Sequence, residues 1–318
     1  MLASVVIGAI MATGWSSASA TQTIVEESTL SSLKTFMQFS AASYCSTIHN
    51  TLTWDCGELC GGAIAGTTIL AGFKHDIASI RGTGVGMVVV NHNISTIVVI
   101  FRGTITRSDD WKSNIYLNRR SGSWFNTLWD PTRPKPPNSG DEIVAPDNIL
   151  LHSGFMENYQ GIRAVVQNHL IDAMNQYPTY SVVFTGHSLG GALASLAIVD
   201  AAVHHGVAKA KKMSLFSYGQ PRTGNKAFAH WVNTIPFEGI YRVTRMHDPI
   251  PRTPPKVLGY RHFDREYYIR GDNVTVVCTP TKEGKEASDC VNSKRFRLSR
   301  LAHTTGYYWP SGCDDLRI

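Results

Sequence analysis

Residues 180–199 read YSVVFTGHSLGGALASLAIV, and this stretch constrains the fold more than any other. A β-branched and aromatic run stops at Gly186, a lone serine follows, and a run of small residues then takes helical character. Gly186-His187-Ser188-Leu189-Gly190 is a Gly-x-Ser-x-Gly pattern set between a strand and a helix. A serine on so tight a turn must adopt a strained backbone conformation. Its neighbours two before and two after must lack bulk for strand and helix to approach. The following Gly191, Ala192 and Ala194 keep that approach close. A helix that starts at the serine points its free N–H groups and positive dipole end at any anion formed beside it. The five-residue pattern alone recurs by chance; the strand–turn–helix context is what marks Ser188 as a nucleophile.

The flanking sequence continues the alternation. Leu30, Leu33, Phe36 and Met37 share one helical face, and VGMVVVNHNISTIVVIFRG reads as two strands about an Asn-rich turn. Residues 156–176 carry Ile162, Val165, Val166, Leu170, Ile171 and Met174 at helical spacing. Strand 181–185, helix 188–204, strand 213–218, helix 225–233 and strand 239–245 follow, then short strands including REYYIRG. Such alternation predicts an α/β fold with a mainly parallel sheet covered by helices on both faces. Residues 119–150 interrupt it. They are rich in Pro and Gly yet carry Trp124, Phe125, Leu128 and Trp129, and a loop this long within a domain is usually functional. Those aromatics either face an interface or pack the loop onto the body; the sequence leaves both open. Gly82-Thr83-Gly84-Val85-Gly86 precedes a strand instead of opening a helix, which excludes a dinucleotide loop.

A serine nucleophile needs a base, and the base needs an orienting acid, following in the order Ser, Asp, His on α/β-hydrolase sheets. Asp248 comes directly after an apolar strand, at the head of a Pro-rich loop, where an acid is held rigidly near the sheet edge. Its rivals Asp264, Asp272 and Asp289 lie in polar or strand-start contexts. Of the histidines after Asp248, His262 leads into a strand and reads as structural, whereas His303 in SRLAHTTGYYW lies in a late loop and is the expected base. His187 adjoins the serine and is expected to point away from it, and His204 and His205 are expected to cap a helix. The oxyanion of the tetrahedral intermediate needs two donors. One is expected from the Leu189 backbone N–H, the other from Thr104, at the end of VVIFRGT.

Composition bounds the setting. The 318 residues are 43% hydrophobic and 17% charged, with a net charge of +6, as in a soluble globular protein. The basic runs AKAKK and SKRFRLSR are too short for a nucleic-acid surface, so no nucleic-acid partner is expected. The first 20 residues contain no charged side chain and end in Ala18-Ser19-Ala20. That apolar core is too short to span a bilayer and matches a secretory signal, so residues 21–318 are expected as the exported domain, with no integral membrane segment. Six cysteines fit that compartment. Of 15 possible connectivities, one closes two short loops, Cys56–Cys60 and Cys278–Cys290, and leaves Cys45–Cys313 to tie the start of the domain to its end. In the chain-entropy picture that long closure stabilises by up to ~5 kcal/mol. Asn93-Ile94-Ser95 and Asn273-Val274-Thr275 are glycosylation sequons. No spacing suggests a catalytic metal or cofactor.

Together these blocks resemble the fungal class 3 lipases, the family of the Rhizomucor and Thermomyces secreted triacylglycerol lipases. The match is carried by AASYCSTIHNTLTWDC, IVVIFRGT, LLHSGF, YSVVFTGHSLGGALASL, FSYGQPRTGN, RVTRMHDPIPRTPP and AHTTGYYW, in the family's order over nearly the whole exported chain. The resemblance implies an α/β-hydrolase fold, a Ser188–Asp248–His303 triad, oxyanion donors at Thr104 and Leu189, and the three disulfides paired as above. It implies ester hydrolysis without metal or cofactor, on lipid esters at an oil–water interface, by a monomer. It also implies a lid over residues 105–120, with Trp111 matching the family's lid tryptophan and Ile115 one turn later on the same face. The remaining lid residues Asp109, Asp110, Lys112 and Ser113 are polar, as in the related feruloyl esterases. A feruloyl or other soluble-ester hydrolase is therefore the enzyme alternative, and an inactive lipid-binding homologue the non-enzyme one.

Overall fold

Thr96-Ile97-Val98-Val99-Ile100-Phe101 is apolar on both faces, and all six residues are buried, as a strand in the middle of a two-faced sheet must be. The computed structural model describes residues 22–76, 83–104, 118–128, 141–280, 285–293, 298–310 and 313. In chain order the main elements are β1 (Gln22–Ile24), α1 (Glu27–Ala42), α2 (Ser46–Thr51), β2 (Thr67–Asp76), β3 (Thr83–Asn91), β4 (Thr96–Phe101), β5 (Arg119–Ser121), β6 (Leu150–His152) and α3 (Ser153–Gln176). There follow β7 (Ser181–His187), α4 (Leu189–Ala210), β8 (Met213–Tyr218), β9 (Gly224–Asn225), α5 (Lys226–Thr234) and β10 (Gly239–Arg245), then β11 (Tyr260–Arg261), β12 (Glu266–Ile269), β13 (Thr275–Cys278) and α6 (Arg300–Thr304).

Nine strands form one sheet in the order β1-β13-β12-β10-β8-β7-β4-β3-β2. The middle strands β12, β10, β8, β7 and β4 run parallel, whereas the pairs at both edges are antiparallel. The parallel character predicted from the strand–helix alternation thus belongs to the centre, and hairpin-linked strands extend it on either side. A second sheet of order β11-β9-β6-β5 is built from strands of two or three residues, too short for periodicity to announce.

Helices cover both faces. One buried cluster joins α3, α4 and α5 to the sheet; the other joins α1 to the opposite face. Among the described residues α4 is long and apolar enough to cross a membrane, but most of it is buried inside the fold. The small residues at its start explain how it packs. A Cβ at Gly190 would lie 2.1 Å from the Phe101 carbonyl oxygen, so only glycine lets α4 reach β4. The three disulfides are Cys45–Cys313, Cys56–Cys60 and Cys278–Cys290, the expected pairing.

The first stretch of α4 ends at a break at Gly206, close to the expected end at 204, and a second helical stretch runs on to Ala210. His204 is buried beside Asp200, at 3.3 Å, and Arg163, at 2.9 Å. The loop aromatics take the packing alternative. Phe125 is fully buried, and Trp124 lies against Phe125 and Tyr159 with the Arg163 guanidinium 4.9 Å from its ring centroid. Leu128 is exposed, and Trp129 lies outside the described residues.

Candidate active site

The turn at the head of α4 has the strain its sequence requires. Ser188 sits at φ 59°, ψ −128°, in a region that non-glycine residues rarely occupy. A Cβ on Gly186 would meet the Gly190 carbonyl at 2.3 Å, so the two glycines flanking the serine are close to touching. This geometry lifts the hydroxyl clear of the sheet edge. The Ser188 Oγ lies 2.8 Å from His303 Nε2.

His303 lies on α6, which starts with Ser299 accepting from the Ala302 N–H. Its Nδ1 is 2.9 Å from Asp248 Oδ2. A carboxylate only accepts, so Nδ1 carries the proton and Nε2 presents its lone pair to the serine hydroxyl. Asp248 lies three residues past the end of β10 and is fully buried. It accepts from the Ile250 N–H at 2.8 Å on Oδ1 and from the Tyr307 hydroxyl at 2.6 Å on Oδ2. Burial, and the neighbouring Asp248 charge, raise the Tyr307 pKa well above its ordinary value, so this phenol stays a donor. Asp248, His303 and Ser188 are therefore joined in one hydrogen-bonded line, 55 and 115 residues apart in sequence.

The loop after Asp248 is held from behind. The Arg222 guanidinium donates to the Arg252 and Pro254 carbonyls and forms a two-point pair with Glu286 at 2.7 and 2.8 Å. Gly219 leaves the space the imidazole needs. At φ +58° it adopts a left-handed conformation, and a Cβ there would lie 2.9 Å from His303 Cε1 and 3.0 Å from Asp248 Oδ2. The rival residues go elsewhere. His262 is buried with Nε2 on the Pro251 carbonyl, Asp272 pairs with Arg270 at the surface, and Asp264 accepts from Asn233.

The end of β4 passes beside the serine. A Cβ at Gly103 would lie 3.2 Å from Ser188 Cβ and 2.7 Å from the His187 carbonyl oxygen, which brings the Gly103–Thr104 backbone next to Ser188. Leu189 is the first residue of α4, where backbone N–H groups have no partner within the helix. Trp111 and Ile115 lie outside the described residues, as do residues 1–20. Asn93 and Asn273 both sit exposed in turns. The one group of metal-type ligand atoms gathered among the described residues, Cys45, Cys56 and Cys313, consists of disulfide sulfurs with no thiolate to offer.

Sequence reasoning missed Tyr307, Gly219, Arg222 and the role of His187. His187 was expected to point away from the serine. Its ring packs 4.5 Å from that of His303.

Comparison with known proteins fits this geometry. The family described as Lipase (class 3) matches residues 98–258, from β4 through the loop after the acid. The chain belongs to the class 3 lipase family. A lipase of Rhizomucor miehei is 30% identical over 269 residues, which cover 83% of this chain and 64% of that protein. The chain thus spans slightly less than two thirds of that relative. A protein of Fusarium solani named secreted mono- and diacylglycerol lipase 1 is 30% identical over 304 residues, covering 91% of this chain and 79% of the relative. Among solved structures, a triacylglycerol lipase described as having a serine protease triad for its catalytic centre superimposes with a TM-score of 0.71. It is 28% identical, with 92% of this class 3 lipase and 98% of that chain covered.

Proposed function

We propose that this class 3 lipase is a secreted serine esterase that hydrolyses the carboxylic ester bonds of acylglycerols. On this reading residues 1–20 are an export signal, 21–318 form one catalytic domain, and Asn93 and Asn273 carry glycans. The observation that carries it is the unbroken line from Ser188 Oγ through His303 to the buried Asp248 carboxylate. The Rhizomucor relative's name, lipase, supports lipid esters as substrates, and the Fusarium relative's name supports both acylglycerols as the substrate class and export.

The chemistry follows from the hydrogen bonds. Ser188 Oγ attacks the ester carbonyl while His303 Nε2 takes its proton. Asp248 holds the Nδ1–H in place and stabilises the imidazolium, and the Tyr307 and Ile250 donors keep the carboxylate aimed. Negative charge collects on the carbonyl oxygen, beside the Leu189 N–H and Thr104. One such donor typically contributes about 3 kcal/mol to transition-state stabilisation. The His303 proton passes to the departing glyceride alcohol, which leaves the acyl group on Ser188. Water then gives a proton to His303 as its oxygen attacks that carbonyl. The proton returns to Ser188 Oγ as the fatty acid leaves.

Ser188→Ala should abolish turnover of a short p-nitrophenyl ester, and retained activity would refute the assignment. Rates on an emulsified triglyceride on either side of its solubility limit, set against methyl ferulate, test the substrate class. Faster ferulate hydrolysis would favour the feruloyl esterase alternative over a lipase.

A further inference from the structure

A chain of hydrogen bonds behind the active site joins the segments that carry Thr104, Ser188 and His303. The His187 Nε2 lies 2.9 Å from the His303 carbonyl oxygen. A carbonyl only accepts, so Nε2 carries the proton, and the Nδ1 of a neutral ring is left with a lone pair. That lone pair meets the Tyr44 hydroxyl at 2.9 Å. Tyr44 is therefore the donor to His187, and its own oxygen accepts from the Gly103 N–H. The direction is the same at every step: Gly103 N–H to Tyr44, Tyr44 O–H to His187, His187 N–H to the His303 carbonyl.

The end points give this chain its significance. Gly103 precedes Thr104, His187 precedes Ser188, and the last acceptor is the carbonyl of His303 itself. The relay is dry, since Tyr44 is 1% and His187 2% exposed. Burial lowers the His187 pKa well below its ordinary value, as does the charge of the nearby His303, so the ring remains neutral and keeps both roles. A buried chain with every donor and acceptor used is stiffer than its separate bonds, whereas one missing member leaves unsatisfied groups on both sides.

We infer that Tyr44 and His187 are positioning residues, a relay that sets the oxyanion backbone, the nucleophile turn and the general base at their working separations. The inference rests on reading Ser188, His303 and the Gly103–Thr104 strand end as the catalytic segments. Neither side chain touches substrate. Both act by holding the donor side and the base side of the site in register with the serine between them. Misplacement of reacting groups slows the chemical step more than it weakens binding.

Steady-state kinetics on a soluble p-nitrophenyl ester tests this with Tyr44→Phe, His187→Leu and the double variant. Tyr44→Phe removes one oxygen and keeps the ring, so it carries the test by itself should His187→Leu fail to fold. The expected result is a fall in kcat of about 10- to 100-fold, the range found for supporting residues around active groups. KM should stay nearly constant, and the double variant should be no worse than the more damaged single one, because a relay is broken once. His187→Gln, which keeps one acceptor and one donor, should recover part of the loss seen in His187→Leu. Tyr159→Phe is the control. It deletes a buried tyrosine hydroxyl bond of 2.8 Å, to Asp200 between α3 and α4, and should lower thermal stability while leaving kcat unchanged. Wild-type kcat in Tyr44→Phe, a change confined to KM, multiplicative losses in the double variant, or an equal kcat loss in Tyr159→Phe would each overturn the relay. Activity surviving Ser188→Ala would instead remove the catalytic reading beneath it, and that outcome is read from a separate variant.

Discussion

The Tyr307 hydroxyl donates to the same Asp248 oxygen, Oδ2, that accepts the Nδ1–H of His303, at 2.6 and 2.9 Å. Two donors on one oxygen fix the orientation of the carboxylate. Tyr307→Phe leaves only the Ile250 N–H to hold the carboxylate besides His303. A hydrogen bond to a charged group contributes about 1.5–3 kcal/mol. If half of that is felt at the transition state, kcat/KM falls roughly 4- to 10-fold. The measurement is kcat/KM on a soluble ester, and a wild-type value would show that Ile250 alone suffices.

Gly219→Ala should be far more damaging than its one methyl group suggests. The new Cβ meets both His303 and Asp248 near 3 Å, and the residue would have to keep φ +58°. Relief requires the imidazole to move, and a shift near 1 Å in a reacting group lowers the rate by about 100-fold. Titration with a phosphonate that labels Ser188, run beside ester turnover, should show slow labelling in chains that are folded by circular dichroism.

The buried pair Arg163–Asp200, closed at 2.7 Å, links α3 to α4, and Arg163 also donates to the Thr127 carbonyl at 2.8 Å. Arg163→Met leaves the Asp200 carboxylate inside the protein without its guanidinium, which destabilises by about 3–5 kcal/mol. Adding Asp200→Leu should restore much of that loss, because the unpaired charge goes too. Urea unfolding of the two variants measures it. In Arg163→Met the segment at 121–128 should also become the first site of limited proteolysis, having lost its tether.

Acid should destabilise this protein before its carboxylates titrate. Burial lowers the His152 pKa from 6.5 to about 4. The unfolded chain therefore takes up a proton below pH 6.5 while the folded chain does not. The stability contributed by neutral His152 is complete above pH 6.5 and is lost as the pH falls toward 4. Within that window each such histidine adds a slope of roughly 1.4 kcal/mol per pH unit. His152→Asn still accepts from the Phe155 N–H at the start of α3, so the helix cap persists. Urea midpoints between pH 4.5 and 7 should show a shallower slope in that variant; an unchanged slope would exclude His152 as a source.

What could be read from the sequence follows the distance over which each residue acts. Ser188 was legible because its requirements are local, with Gly186 and Gly190 two positions either side. Asp248 and His303 were legible because an acid at a strand end and a histidine in a late loop are positional signals. The same reasoning failed for Tyr44, Tyr307 and Gly219, whose roles arise only when segments far apart in sequence meet at one point. Arg163 and Asp200 carry no local signal, because their pairing exists only where α3 packs on α4. Trp124 and Phe125 were visible as apolar residues in a polar loop, but hydrophobicity does not say which surface they will cover. Two-residue strands such as β9 and β11 carry no period at all.

The order in which these residues are made has its own consequence. Ser188 is synthesised with well over a hundred residues still to come, and it stays an ordinary hydroxyl until His303 arrives. Cys45, next to Tyr44, finds its partner only at Cys313. The segment that carries His303, Tyr307 and Cys313 thus emerges more than a hundred residues after Ser188. A stalled or prematurely ended chain carries the nucleophile without anything to activate it. Any activity of the Ser188 hydroxyl is thereby deferred until the chain through Cys313 has been made.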